Sequence, residues 1–413
     1  MNKIFHLLII GFNFPEPNSS AAGSRMMQLI KLFQNNNWKI TFATPAQNTK
    51  YAENLEELGI AVKNIFPNDE KADEFFKKTN PDAVIFDRFM IEEQFGWRIA
   101  EVCPEAIRIL DTEDLHFLRK ARHEAIKQNL EIEKADYFKV LTKREIACVL
   151  RSDISLIISE VEMKILLEEF KIDARLIWYL PFLHQNLEKN FTEKLPDFEE
   201  RKDIMFIGNY LHAPNYDAVL YLKNKIWPII HQRNPDIKMM IYGAYPPQKL
   251  KNLENKKQHF YIKGRVENLN KTFQNFRLLL APLRFGAGLK GKFFDAIKNG
   301  TPSITTPIGA EGIAGDFSFS GKIGENPEEL AKQSLSLYQD VENWKKAQQK
   351  GREIINSRFV WEKFENPFFE QLSFLINNLE NHRKQNFMGQ ILMHHRQQST
   401  KYMSRWIEEK NKK

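Results

Sequence analysis

The stretch Ala281–Ile313, APLRFGAGLKGKFFDAIKNGTPSITTPIGAEGI, decides how the rest of the chain is read. An apolar run ends at Ala281-Pro282, and a loop carrying Gly286 and Gly288 follows. A helical pattern then runs from about Leu289 to Asn299, closed by Gly300. Glycines let backbone N–H groups approach a ligand closely, and a helix start favours an anion. Lys290 and Lys292 stand in that first turn, where cations oppose the helix dipole. A phosphate to be neutralised accounts for them; an ordinary strand-to-helix turn with solvated lysines is the competing account. GxxxxGK[ST] is not matched, because Phe293 stands where Ser or Thr is required; the glycines at 286, 288 and 291 have GxGxxG spacing, but the loop continues into Lys292 and Phe293 and is not read as a dinucleotide-fold fingerprint.

Two more segments end in the same way. Phe206–Asp217 (FIGNYLHAPNYD) is a strand, a glycine and a loop into a helix, with Asn215 placed as its N-cap. Ile262–Leu269 (IKGRVENL) repeats the pattern. Three strand-end loops of one sheet converge on one crevice.

Further outward, short apolar runs alternate with helical patterns. In the first half the strand candidates are Ile4–Ile10, Lys39–Ala43, Ala61–Phe66, Ala83–Asp87, Ile107–Asp111, Ser155–Ser159 and Leu176–Leu180. In the second they are Ile204–Gly208, Ile237–Gly243, Phe260–Lys263, Leu278–Ala281 and Ser303–Thr306. Helices fall between them, as at Ala22–Phe33 with Met26, Leu29, Ile30 and Phe33 on one face. The alternation predicts an α/β protein of two Rossmann-like, doubly wound domains facing a cleft. The domains are expected over 1–190 and 195–360, with the charged, proline-bearing Leu187–Lys202 as linker. A phenylalanine-rich helix over 361–380 is expected to pack back on the first domain, and 381–413 forms a basic amphipathic tail.

Composition agrees with this plan. The 413 residues are 42% hydrophobic and 27% charged, which describes a globular chain of about two domains. No apolar run reaches the roughly 18 residues of a membrane-spanning helix. Cys103 and Cys148, in unrelated contexts, supply neither a disulfide framework nor a zinc cluster and read as small buried hydrophobes in a reducing compartment. Of the net charge of +7, residues 381–413 hold six units. The body is nearly neutral, so nucleic acid is not an expected partner. The run Ile4–Ile10 has the look of a signal peptide, but His6 inside it and Gly11–Pro15 after it suit a first strand better. A cytoplasmic location is expected.

The segments FIGNYLHAPNYDAV, IKGRVENL and APLRFGAGLKGKFFDAIKNGTPSITTPIGAEGI resemble the nucleotide-sugar-binding domain of GT-B glycosyltransferases, in particular the retaining family 4 (glycosyl transferases group 1). The first half matches less sharply, through SSAAGSRMMQLI and LDTEDLHFLRKARHE. The resemblance implies that Lys290 contacts a donor diphosphate, with Gly288 and Leu289 supplying backbone N–H groups. Asp295 stands where the family has a ribose-binding glutamate, and Arg265 and Val266 border the nucleobase. Gly208, Asn209 and Glu311 belong to the same donor pocket. Gly23 and Arg25 match a glycine-rich loop facing the donor phosphate or the acceptor. The chain departs from the family at Ala287, which lies eight positions before Asp295 where the family has a second glutamate.

The implied activity moves a sugar, with retention, from a nucleoside diphosphate sugar to a glycan or lipid-linked acceptor in cell-surface polysaccharide or glycoconjugate synthesis. No cofactor and no metal is called for. A nucleotide-sugar 2-epimerase and a non-catalytic nucleotide-sugar-binding subunit are the alternatives. Asp114 and His116, in DTEDLH after a first-domain strand, join Lys290 as catalytic candidates, against a reading of Asp114 as a helix cap. A metal-binding DxD reading does not fit the spacing. Arg119 and Arg122 read as a solvated helix face, with a phosphate-facing role as the alternative, and His184, His212 and His231 as ordinary residues. The tail mixes Phe387, Ile391, Met393, Tyr402, Met403, Trp406 and Ile407 with its basic charges, so an anionic membrane surface is an expected peripheral partner at the inner face.

Overall fold

The computed structural model describes residues 4–394 and, beyond them, Tyr402, Trp406 and Lys410. The first sheet holds β1 (His6–Ile10), β2 (Lys39–Thr44), β3 (Ala61–Asn64), β4 (Ala83–Asp87), β5 (Ile107–Asp111), β6 (Ile154–Ile157) and β7 (Ile177–Tyr179). The second holds β8 (Lys202–Ile207), β9 (Met239–Tyr242), β10 (Phe260–Gly264), β11 (Phe276–Ala281), β12 (Ser303–Thr305) and β13 (Gly321–Ile323). Strand orders are β3-β2-β1-β4-β5-β6-β7 and β10-β9-β8-β11-β12-β13, and every pairing between named strands is parallel. These are two Rossmann-like domains. The order reverses between β1 and β4 in one sheet and between β8 and β11 in the other, and a crevice opens at each such point.

The central strands are apolar on both faces, as helix-covered parallel sheets require; Leu7–Ile10 and Leu278–Ala281 have no exposed surface. The helix Ala21–Asn35 starts at Ser20, whose hydroxyl accepts the Gly23 N–H at 3.0 Å. The stretch read as a linker is only partly loose. Phe198 packs edge-on against Trp344, and the buried Arg201 guanidinium donates to Pro196 O, Thr301 Oγ1 and Asn299 O, fastening its second half to the C-terminal domain.

The helix Glu365–Gln385 leaves the second domain and crosses the first. Phe368, Leu372, Leu375 and Leu379, spaced along one helical face, enter the same apolar cluster as Phe33, Trp38 and Ile85. Burying each such side chain contributes about 1.5–3 kcal/mol. The next helix, Phe387–His394, is seated on the first domain through Gly389, where an added Cβ would lie 2.2 Å from Leu150 O. Of the expected tail, Phe387, Ile391 and Met393 belong to this helix, whereas Arg396, Lys401, Met403, Arg405 and Ile407 lie outside the described residues.

Candidate active site

A cleft of about 750 Å³ lies between the domains, lined by the loops that follow the strands of both switch points. On the C-terminal wall, Gly208 and Asn209 follow β8, Gly243–Tyr245 follow β9, Arg265 and Val266 follow β10, and Leu283, Phe285–Ala287 and Leu289–Lys292 follow β11. Lys290 occupies the N-cap position of the helix Gly291–Lys298. Its ammonium is buried without a hydrogen-bond partner, and the nearest carboxylate oxygen, Glu311 Oε2, is 3.7 Å away. Burial pushes the Lys290 pKa down against the pull of Glu311. Lys292 donates to Asn215 Oδ1 at 2.7 Å and sits over the Phe206 ring; burial pulls it down to about 7. Asp295, one turn further along, also faces the cleft and pairs with Lys298 at 2.9 Å.

Asn215 is not the helix N-cap expected from the sequence. The helix Ala213–Tyr221 starts at His212, with Pro214 in its first turn, and the Asn215 amide donates instead to Asn209 O at 2.8 Å. Asn215 thereby ties the loop after β8 to Lys292.

The N-terminal wall carries carboxylates. Asp87 ends β4 and Arg88 follows it, and Glu113 and Asp114 follow β5. Arg88 (φ 73°) and Glu113 (φ 62°) both hold the left-handed backbone that β-carbon residues disfavour, as does Tyr245 (φ 57°) on the other wall. Asp87 accepts the Phe12 N–H and pairs with Arg88. Glu113 Oε1 is buried without a hydrogen-bond partner, and burial pushes its carboxyl well above the ordinary range against the pull of Arg88. Asp114, by contrast, is engaged by Arg119 and lies 3.4 Å from His116 Nε2. Burial alone would raise its pKa, but Arg119, His116 and His212 outweigh it and hold the carboxylate below its usual range. His116 is lowered to about 4 by burial, so its imidazole is neutral at pH 7. Asp114 is not a helix cap. The start of the helix His116–Lys127 is satisfied by two buried glutamates, with Glu145 accepting from the His116 and Phe117 N–H groups and Glu162 from that of Leu115. Burial raises both glutamates to about 8.

Arg25 and Gly288 depart from their expected roles. Arg25 is fully buried, bound to Asp111 at 3.2 Å and to Pro181 O at 2.7 Å, and it does not line the cleft; it braces the first domain. Gly23 does line the cleft, packed so closely on the Glu16 backbone that a Cβ would clash at 2.4 Å. The Gly288 N–H, expected to face a phosphate, donates to Glu162 across the domain boundary at 2.9 Å. Gly288 has φ 61°, and a Cβ there would lie 2.9 Å from that of Asp114. Ala287 is buried against the first domain's cluster around Leu110, Leu115 and Ile157. Ala287 also lines the cleft, at its border with that apolar contact.

Arg122 overturns the reading of a solvated helix face. It is buried, and its guanidinium forks onto Glu311 at 2.7 and 2.8 Å while donating to Gly286 O at 2.9 Å. His123 stacks on Phe285 with ring centroids 4.2 Å apart. At the other rim, Tyr245 donates to Glu16 at 2.9 Å and the Arg265 guanidinium covers the Tyr51 ring. Arg88 and Glu113, which line the cleft, and Glu162, which borders it, are the residues that sequence reasoning missed; the sequence allows Arg122 a role but does not place it at the domain boundary. The one signal was position: the first two directly follow strand ends. Among the described residues no group of three His, Cys, Asp or Glu is placed to hold a metal ion.

This arrangement places two buried lysines at a helix start on one wall, Lys290 without a hydrogen-bond partner, and carboxylates on the other. Residues 201–340 match the family model described as glycosyl transferases group 1. That match covers most of the second domain. Among solved structures, a mutant of S. aureus TarM in complex with fondaparinux, α-GlcNAc-glycerol and UDP superposes with a TM-score of 0.68 at 12% identity, over 91% of this chain and 100% of that one. Anabaena HepE in complex with UDP and glucose gives 0.64 at 12% identity, over 90% and 100%. The likeness shows the fold, two facing domains of the GT-B type. A 44.6 kDa uncharacterized protein in the cps region of Klebsiella pneumoniae is 24% identical over 150 residues, 35% of this chain and 39% of that protein. The chain thus spans about two-fifths of the curated relative it matches.

Proposed function

We propose that the chain is a GT-B glycosyltransferase that moves a sugar, with retention and without a metal, from a nucleoside diphosphate sugar to a glycan or lipid-linked acceptor. The observation that carries this reading is Lys290, a buried ammonium without a hydrogen-bond partner at a helix start in an interdomain cleft. A buried cation is costly unless an anion joins it. A diphosphate supplies that charge, and the helix dipole favours it further. Stabilising the departing diphosphate is what glycosyl transfer from such a donor requires. The UDP in the TarM and HepE complexes supports this choice of donor. The cps-region relative supports a place in polysaccharide synthesis.

The test is calorimetry of UDP, GDP and CMP on wild type and Lys290→Ala, followed by product analysis with the matching nucleotide sugar. Binding of one nucleoside diphosphate, weakened at least about a hundredfold in the variant, is expected. No binding at millimolar concentration defeats the reading. Ala287, which leaves the loop without a carboxylate, favours a second reading, a non-catalytic nucleotide-sugar-binding subunit. Binding without transfer to any acceptor identifies it, and sugar epimerisation without acceptor identifies a 2-epimerase.

The proposed setting is the inner face of a membrane. No described helix is long and apolar enough to cross one. Phe387, Met388, Ile391, Tyr402 and Trp406 are exposed, and residues 381–413 of the sequence are basic. Co-sedimentation with phosphatidylglycerol vesicles, absent with phosphatidylcholine, is the expected result.

A further inference from the structure

We propose that Arg122 is a positioning residue for the donor site: by occupying Glu311 from the opposite domain, it keeps that carboxylate off Lys290 and leaves the ammonium open to a diphosphate. The inference rests on the reading of Lys290 given above.

Three groups meet at the domain boundary. Glu311 Oε2 accepts from Arg122 at 2.8 Å and lies 3.7 Å from Lys290 Nζ; Oε1 accepts from the other arm of the same guanidinium at 2.7 Å. Forked guanidinium–carboxylate pairs are among the strongest hydrogen-bonded contacts and fix the plane of the carboxylate. With both oxygens held, Glu311 stops short of hydrogen-bonding distance from Lys290. Arg122 also holds Gly286 O at 2.9 Å, so the loop leading to Lys290 is fixed by the same side chain.

Removing Arg122 leaves Glu311 with one cation in reach. A small side-chain movement then forms a buried Glu311–Lys290 ion pair, which an incoming diphosphate has to break. Arg122 lies on the helix His116–Lys127 of the first domain, and Glu311 follows β12 in the second. The fork therefore exists only while the domains are together. Closure frees the cation, a diphosphate on the cation disfavours its recapture by Glu311, and the two events reinforce each other. A plain interdomain brace makes no such link.

The two accounts differ in a double-mutant cycle, read by UDP calorimetry on the full chain with thermal unfolding as the folding control. Arg122→Ala is expected to weaken UDP binding about tenfold or more, the scale of a hydrogen bond to a charged group. Adding Glu311→Gln removes the competing carboxylate and is expected to restore affinity to within about threefold of wild type. A brace predicts a double variant no better than the single one. Should Arg122→Ala not fold, Arg122→Lys takes its place, with a smaller loss and the same rescue. An unchanged affinity in the Arg122 variant, or no rescue by Glu311→Gln, overturns the inference. If wild type does not bind UDP, or Lys290→Ala binds it equally well, the donor-site reading itself has failed.

Discussion

On the C-terminal wall of the cleft Arg265, Lys290, Lys292 and Lys298 stand against one carboxylate, Asp295; on the N-terminal wall Glu16, Asp87, Glu113 and Asp114 stand against Arg88 and Arg119. Lys298 pairs with Asp295, but the two lysines at the helix start have no anion in hydrogen-bonding reach: Lys290 has no hydrogen-bond partner, and Lys292 donates to a neutral amide. Most of the carboxylates are served from within, Asp87 by Phe12 N–H and Arg88, Asp114 by Arg119 and His116, Glu16 by Tyr245. Glu113 is served least, with Oε1 buried and unpartnered; Asp87 Oδ1 is also without a hydrogen bond but has the Arg88 guanidinium 3.4 Å away. One wall therefore calls for an anion, whereas the other offers hydrogen-bond acceptors suited to hydroxyl groups.

Four experiments probe that contrast. The largest effect is expected from Lys290→Glu, which reverses the key charge of the cationic wall. UDP binding should fall by more than about a hundredfold, and retained affinity would show that the anion binds elsewhere. Next comes Glu113→Gln on the opposite wall. Sugar transfer should slow about 10–100-fold while the Kd for UDP stays within about twofold; a parallel loss of UDP binding would merge the two walls into one site.

The third experiment follows Lys292, whose free-protein pKa is about 7. Anion binding needs it protonated, so UDP affinity should fall up to about tenfold as pH rises from about 6.5 to 8.5. Lys292→Met should flatten that dependence, leaving only what UDP's own second ionisation contributes.

The smallest effect concerns Glu145 and Glu162. Both are raised to about 8 in the folded chain, above their unfolded value near 4.3. The folded state therefore holds their protons more tightly. Their stabilising contribution is full below the unfolded pKa and is lost as pH rises through about 8. Tm should drop by a few degrees between about pH 6 and 9, and less in Glu145→Gln/Glu162→Gln, which keeps the Glu162 acceptor and one of the two acceptors of Glu145 at a lower starting stability.

The two walls also differ in how far the sequence reveals them. Lys290, its glycines and Asp295 lie within one short contiguous stretch, where a strand end, a loop and a helix start follow each other in the chain. Local residue types suffice for such a feature. The contact of Arg122 with Glu311 joins residues 189 positions apart, and a buried arginine on a helix has the same spacing as a solvated one. The Arg25 reading failed in the same way: its glycine-rich neighbourhood suggested a ligand, but its partners come from β5 and from Pro181. β13 is only three residues long, too short for a periodic signal. Asn215 had the chemistry of a cap but stood inside the first turn, because Pro214 already suits that position.

The helix Glu365–Gln385 has a consequence for synthesis. It completes the core of the first domain, and Asn36 reaches across to Glu365, 329 positions later. A nascent first domain must leave the face around Phe33 and Trp38 uncovered until the entire second domain has been made. At about 5–20 residues per second that interval is roughly 10–40 s. The first domain to be translated is therefore the last to be sealed, by a segment that arrives only after the second domain has been made.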